Sequence, residues 1–388
     1  MRKDTRERRG DYLIALARKY GWQRGAELGV WYGQTYFRML SHMPELTLIG
    51  VDKWMPEYHD FAHHKNQTEN RAEVYRNKGA FGDRAVIMEM DMTEAARQIP
   101  DGSLDFIFID GDHSYEGCRN DILTWLPKIK ETGWITGHDF NFPGVNQAVR
   151  ELLELVACPD FDDTWARPVN IPKWATTVCC LKQGKLYGPA YVNILYRMVQ
   201  RNVYLEPYDF VCFTDDATGI DPWIRTAPLP WDAPGWWGKM GLYQESIPGV
   251  NTDRILFFDL DVVITGNIDP LLWRRKEFRM AVDYPRGSLP ANDMRLKHGN
   301  SSVICLDVGS QKEIWDAYVA GGKPQIAGDQ DWVNGNFPGR FSLIDEGLVK
   351  SYKMNNLNGG VPDGCSVVIF HGRPKPHECG GWVRNYWK

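Results

Sequence analysis

Through its first 160 residues the chain alternates short apolar runs with helix-like stretches, and this alternation limits the possible folds more than any other feature. Strand-like runs fall at 24–30, 46–52, 85–91, 104–110 and 133–139, and helical patterns at 33–41, 68–78, 92–99, 115–130 and 145–157. Strands separated by helices pair in parallel, because the chain must cross the sheet between them. The spacing predicts a doubly wound α/β layer with its ligand crevice at the carboxyl ends of the strands.

After Cys158 the pattern gives way to Pro159, Asp160, Asp162, Asp163, Pro168 and Pro172, a composition suited to a connection. A second unit then begins, with an apolar run at 175–182, a helix-like stretch at 190–201 and strands at 209–214 and 254–260 that end in acids. No fixed-period repeat relates the halves. A chain of 388 residues exceeds what one core comfortably holds. The expected organisation is a first domain at 1–160, a linker at 161–172 and a second domain at 173–388.

Ala26-Glu27-Leu28-Gly29-Val30-Trp31-Tyr32-Gly33 places two glycines at a strand-to-helix turn, where missing side chains let backbone N–H groups approach a cofactor. Asp52 closes the next apolar run, where a carboxylate can accept from ribose hydroxyls. The segment 20–157 resembles the class I S-adenosylmethionine-dependent methyltransferases, whose first motif has the Glu-x-Gly-x-x-x-Gly form of Glu27, Gly29 and Gly33. That resemblance implies a Rossmann-like fold, Asp52 on the ribose, and Asp91 with Met92 near the adenine.

Farther along, Phe106-Ile107-Phe108-Ile109-Asp110-Gly111-Asp112-His113 releases two acids and a histidine at a strand end, and Gly137-His138-Asp139 closes the next strand. Asp110 and Asp139 can converge on one hard divalent cation, which would align two hydroxyls and acidify one of them. The pattern looks like the metal-dependent O-methyltransferases, including those acting on sugar hydroxyls. The resemblance implies Asp110 and Asp139 as metal ligands and either Asp112 or His113 as general base. Phe140 stands where that family usually has an acid or amide, and the antiparallel strands that usually close its sheet are not evident before Lys173.

In the second half, Arg254-Ile255-Leu256-Phe257-Phe258 leads into Asp259-Leu260-Asp261. Side chains two apart on extended backbone point to one side, so Asp259 and Asp261 can grip an ion that neutralises a departing nucleoside diphosphate. The run from Asp259 to Trp273 resembles the retaining GT-A glycosyltransferases of the glycogenin and bacterial galactosyltransferase type, carbohydrate-active family eight. His298-Gly299-Asn300-Ser301-Ser302 is similar to that family's amide loop, with Asn300 meeting the donor or acceptor sugar. Gly328-Asp329-Gln330-Asp331 matches its Asp-Gln-Asp segment, which implies Asp329 on donor hydroxyls and Gln330 near the anomeric carbon. Phe370-His371-Gly372-Arg373-Pro374-Lys375 is like its late histidine-to-lysine motif, making His371 a third metal ligand and Lys375 or Arg373 the phosphate contact. Lys239 stands where the family keeps a basic residue, and Asp215 is a candidate for uracil or ribose contact.

The formal net charge of −5 excludes the basic excess of a protein that neutralises many phosphates, so nucleic acid is not an expected partner. The terminal Arg2, Lys3, Arg6, Arg8 and Arg9, interrupted by Asp4, Glu7 and Asp11, read as a solvated helix and not a signal peptide. No apolar stretch reaches the ~20 residues of a membrane helix. Eight cysteines without a Cys-x-x-Cys pair suit a reducing, cytoplasmic compartment. The sixteen tryptophans suit carbohydrate platforms or cores and domain contacts. Taken together, the two resemblances imply a bifunctional glycan-modifying enzyme. It would use S-adenosylmethionine, manganese or magnesium, and a nucleotide sugar, expected to be a UDP-sugar, with a carbohydrate acceptor. Two rivals remain: a glycosyltransferase with an inactive methyltransferase-like domain, and a non-catalytic carbohydrate- or nucleotide-binding scaffold.

Overall fold

The computed structural model describes residues 5–55, 66–159, 163–272, 277–283, 298–321 and 328–388. Arg2, Lys3, Asp4, Asp160, Asp162 and Trp273 lie outside the described residues. The chain divides into two compact units, Met1–Asn170 and Ile171–Lys388. Each is an α/β layer structure, as the alternation predicts.

In the first unit the strands are β1 (Arg24–Leu28), β2 (Thr47–Asp52), β3 (Ala85–Glu89), β4 (Leu104–Ile109), β5 (Ile129–Gly137) and β6 (Trp165–Pro168). Their order is β3-β2-β1-β4-β5-β6. The first five run parallel, and β6 runs antiparallel to β5. The order reverses between β1 and β4, which opens a crevice beyond their carboxyl ends. Register sets Leu28 beside Ile109, so Gly29 and Asp110 leave the sheet as neighbours.

The helices of this unit are α1 (Thr5–Tyr20), α2 (Gln34–His42), α3 (Gln67–Lys78), α4 (Met92–Gln98), α5 (Tyr115–Trp125) and α6 (Pro143–Leu153). Three readings need correction. Helix α1 is not a solvated helix: Tyr12, Leu13, Ile14, Leu16 and Ala17 are buried, an apolar face that repeats at helical spacing. The helix read at 115–130 stops at Trp125, because Pro127 cannot continue it, and the chain passes through a short 3-10 turn into β5. The stretch read as a linker contributes β6, which supplies an antiparallel edge to the sheet; Trp165 at its start is fully buried and donates from Nε1 to the His138 carbonyl at 3.1 Å.

In the second unit the main sheet is built from β7 (Thr176–Lys182), β8 (Tyr208–Thr214), β9 (Thr226–Ala227), β10 (Arg254–Phe258), β12 (Arg279–Val282), β13 (Gly299–Asp307) and β14 (Ser342–Leu343), while β11 (Val263–Ile264), β15 (Val349–Ser351) and β16 (Val367–Ile369) form a small one. Its helices are α7 (Pro189–Asn202), α8 (Asp269–Leu272), α9 (Lys312–Gly321), α10 (Asp329–Asn336) and α11 (Trp382–Tyr386). Central β10 is buried along its whole length, parallel to β7 and antiparallel to β13. The small sheet pairs Val263 with Val368 and Ile264 with Val367. It thereby returns the chain after Asp261 against the strand that precedes Phe370 and His371.

Candidate functional site

The crevice of the first unit begins at Gly29. Its φ of +91° lies in the left-handed region, and a Cβ there would come within 2.1 Å of the Asp110 carbonyl oxygen, so no other residue fits. Gly33 also has positive φ and caps α2. Asp52, at the end of β2, accepts from the Trp31 and Trp54 amides at 2.8 Å each. Burial pushes its carboxyl up against those amides. Glu27 is buried, and its Oε2 has no hydrogen-bond partner among the described residues. Burial raises its pKa well above the usual range, and the neighbouring Asp110 raises it further.

Across the switch point, Asp110, His113 and Asp139 bring one ligand atom each within 4.8 Å of one another. His113 Nε2 lies 2.8 Å from Asp139 Oδ2, and His138 Nδ1 lies 3.1 Å from Asp139 Oδ1. Asp139 adopts a φ of +57°, a strained conformation of the kind that collects at functional sites. Burial would raise both acids, but Arg9 and His138 hold Asp110 low, and the two histidines hold Asp139 well below the carboxylate range. Two carboxylates and an imidazole make a donor set that fits a divalent ion.

The remaining expected groups take different places. Asp112 accepts from the Ser114 amide at 2.8 Å and shapes the turn. Of the two candidate bases, it is His113 that joins the cluster. Asp91 caps α4 through the Thr93 amide and pairs with Lys53 at 2.6 Å, so it holds a helix end next to Met92. Phe140 is buried, its amide on the Asp163 carbonyl.

In the second unit, β13 and α10 are clasped by the Asn334 side chain, whose Oδ1 accepts from the Gly299 amide and whose Nδ2 donates to the Gly299 carbonyl. The clasp brings Asn300 to Gln330 at 3.2 Å. Lys239, from the 3-10 helix Gly235–Tyr243, reaches Asp259 at 2.7 Å and the Ser301 hydroxyl at 3.1 Å. Burial disfavours its charge, yet Asp259 and Asp329 outweigh that and raise its pKa. Asp329 is pushed up by burial, which Lys239 partly offsets, and its Oδ2 has no hydrogen-bond partner among the described residues. The predicted Asp259, Lys239, Asn300, Asp329 and Gln330 are thus one cluster.

Asp261 accepts from Lys375 Nζ at 2.5 Å and from the Tyr187 hydroxyl at 2.9 Å. Burial and then Asp259 raise its carboxyl pKa. The expected triad of Asp259, Asp261 and His371 is not drawn together as ligand atoms within 4.8 Å, unlike the set in the first unit. The charges of the two acids are met by Lys239 and Lys375. In residue type Asp259, Asp261 and His371 suit a divalent ion. Arg373 pairs with Glu378 and Lys375 with Asp261. Asp215 is exposed and accepts from the Gly184 amide at 2.9 Å, a turn contact outside the cluster.

Arg9 and His138 were missed as site residues. Arg9 lay hidden in a charge run that reads as surface, although it stands one helical turn before the apolar Leu13. His138 was visible beside Asp139, but nothing in the sequence told which of the two would face Asp110.

The family model described as a methyltransferase domain matches residues 26–140, all within the first unit, which therefore carries a methyltransferase domain. The uncharacterised protein y4gI of Sinorhizobium fredii is 26% identical over 141 residues, 34% of this chain; the match spans 15% of that relative's length. Among solved structures, the galactosyltransferase LgtC in complex with donor and acceptor sugar analogues is similar with a TM-score of 0.40 at 15% identity, covering 54% of this chain and 93% of that one. The SAH-bound Podospora anserina methyltransferase PaMTH1 gives a TM-score of 0.31 at 17% identity, covering 40% and 76%. Among the described residues, no helix is long and apolar enough to cross a membrane.

Proposed function

We propose that the chain is a bifunctional glycan-modifying enzyme, in which the first unit methylates a hydroxyl, that of a sugar, and the second transfers a sugar from a nucleotide donor with retention. The observation that carries the reading is the gathering of Asp110, His113 and Asp139 beside Glu27 and Gly29 at the switch point of the parallel sheet. The division between Asn170 and Ile171, with β6 kept in the first unit, would separate the two activities. The eight cysteines, all buried and outside any disulfide, suit a reducing, cytoplasmic setting.

In the first unit the cofactor fitting the glycine cradle is S-adenosylmethionine, which supplies an electrophilic methyl group. Asp52 takes its ribose hydroxyls. Glu27, whose buried Oε2 has no hydrogen-bond partner among the described residues, sits near Arg9 and Asp110, and this mixed-charge corner suits the ammonium and carboxylate of an amino-acid tail. Asp110, Asp139 and His113 would hold magnesium or manganese, which lowers the pKa of a hydroxyl brought to it. His113, backed by Asp139 at 2.8 Å, can instead receive the hydroxyl proton itself. The Arg9 charge on Asp110 favours this second, metal-free reading of the first unit.

In the second unit the donor is a nucleotide sugar, with UDP-sugar the form proposed. Lys239 and Lys375 place two ammonium groups at the acidic segment, where the leaving diphosphate needs positive charge. Asp259, Asp261 and His371 would hold manganese or magnesium if the ion binds, adding to that charge. Asp329 with its open Oδ2 takes donor hydroxyls, while Asn300 orients Gln330 near the reacting carbon.

One experiment tests both halves. The protein is given methyl-labelled S-adenosylmethionine, a panel of nucleotide sugars, manganese and glycan acceptors, and label transfer and nucleoside diphosphate release are followed separately. Asp139→Ala is expected to lose only the first and Asp259→Ala only the second. Neither product from the wild type with any donor would overturn the reading.

A further inference from the structure

The 3-10 helix Gly235–Tyr243 turns Lys239 inward but leaves Trp236 56% exposed. Residues three apart on such a helix project from one side, so Trp236 stands on the side that carries Lys239 to Asp259. Its indole also lies against the start of α10: a Cβ on Gly328 would meet Trp236 Nε1 at 3.1 Å and Cδ1 at 3.3 Å. The next two residues are Asp329 and Gln330, so this ring borders the cluster proposed to hold the donor sugar. Trp231 is exposed as well, and its backbone is held on the same helix, since a Cβ on Gly241 would come within 2.8 Å of its amide nitrogen. Trp231 meets the Trp315 ring of α9 edge-on at 5.1 Å, and Trp237 stacks on Tyr318 of α9 at 5.7 Å. Two ring contacts therefore join the 3-10 helix and α9 into one aromatic ledge beside the cluster.

Large apolar side chains gathered at a surface mark a contact still to be made. An indole offers a flat apolar face with a polar N–H on its edge, and a pyranose offers the counterpart, an apolar C–H face rimmed by hydroxyls. The ledge is not apolar throughout: Asp232 follows Trp231, and exposed Lys312, Glu313 and Asp316 flank Trp315 on α9. A lipid surface would have to strip water from those charges, whereas a glycan leaves them wet. Lys312 is met by Asp316 at 2.6 Å and Arg340 by Glu313 at 3.0 Å, so these two cations are already balanced and give an acidic glycan no advantage. An uncharged sugar chain is the ligand that this chemistry fits.

Resting on the sugar-transfer reading above, we propose that this ledge carries the acceptor: Trp236 and Trp231 stack successive units of an uncharged oligosaccharide behind the unit that receives the sugar. The second unit then selects acceptors by chain length, and the two tryptophans bind without entering the chemistry.

The test offers the full chain, supplied with UDP and manganese, an array of neutral and acidic glycans of one sugar to several, and the best binder is then titrated calorimetrically at each length. The wild type is expected to take a neutral glycan and to gain about tenfold in affinity for each stacked unit, the size of one aromatic contact. Trp236→Ala is expected to lose one such step, and Trp236→Tyr, which keeps a flat ring, to retain most of it. Affinity that does not grow with length, a preference for acidic glycans, or a Trp236→Ala that binds like the wild type overturns the proposal. So does self-association on sedimentation, or binding to phosphatidylcholine vesicles, that disappears in Trp236→Ala, because the ledge then serves a second copy or a membrane. If Trp236→Ala does not fold, the length dependence of the wild type and its choice of glycan decide the matter. Nucleoside diphosphate release from a panel of nucleotide sugars is followed alongside: release without glycan binding overturns this proposal alone, and a wild type that shows neither overturns the sugar-transfer reading with it.

Discussion

Arg9 Nη1 sits 2.9 Å from Asp110 Oδ2, joining helix α1 to the end of β4 across 101 positions of sequence. The side chains are 10% and 17% exposed, so this is a nearly buried pair. Removing one partner leaves a charge uncompensated, and Arg9→Ala is expected to cost about 3–5 kcal/mol, read from the midpoint of urea unfolding. Because Asp110 titrates below its unfolded value, its contribution is present at neutral pH and fades as pH falls through the folded pKa. Wild-type stability should drop more steeply below about pH 4 than that of Asp110→Asn. Parallel acid curves for the two proteins would count against the pairing.

Asp121 has the opposite sign. Its folded pKa is raised to about 7, so the folded state is unpenalised below the unfolded value and loses stability as pH climbs toward 7. Asp121→Asn has no charge to bury. It should match the wild type near pH 4 and exceed it at pH 8, with a ceiling of about 4 kcal/mol for three pKa units. Thermal melting at the two pH values checks this, and a variant less stable than the wild type at pH 8 would show that the carboxylate is welcome there.

Metal removal separates the two readings of the first unit. If Asp110, His113 and Asp139 hold an ion, chelation should abolish methyl transfer and added magnesium should restore it. Undiminished transfer after chelation would leave His113 as the base, with Arg9 balancing Asp110.

For the second unit, Asp259→Ala strips Lys239 of the carboxylate 2.7 Å away and disrupts the charge cradle for the diphosphate. Donor turnover should fall by about a hundredfold or more, the size seen when one electrostatic contact to a developing charge is lost. Nucleoside diphosphate release at saturating donor measures it; a change under twofold would remove Asp259 from the mechanism.

Local patterns in the sequence reported the strands well, because a buried parallel strand is a continuous apolar run and its end is marked by acid or glycine. Glu27, Gly29, Asp52, Asp110 and Asp139 were legible for that reason. Spacing between strands says nothing about which ends meet, so the place of Arg9 beside Asp110 and of Lys375 beside Asp261 had to come from the fold. Strand β6 was obscured because Pro168 and the acids around it read as a connection, although an edge strand tolerates proline. Asp121 was invisible because an acid in a helix is ordinarily solvated, and only burial singles it out.

The most direct measurement is a titration of the wild-type chain with S-adenosylhomocysteine, repeated on Asp52→Ala. Saturable binding at one site per chain, weakened about tenfold when the ribose acceptor is removed, is the result expected of a cofactor seated over Gly29. No saturable binding, or binding indifferent to Asp52, would contradict it.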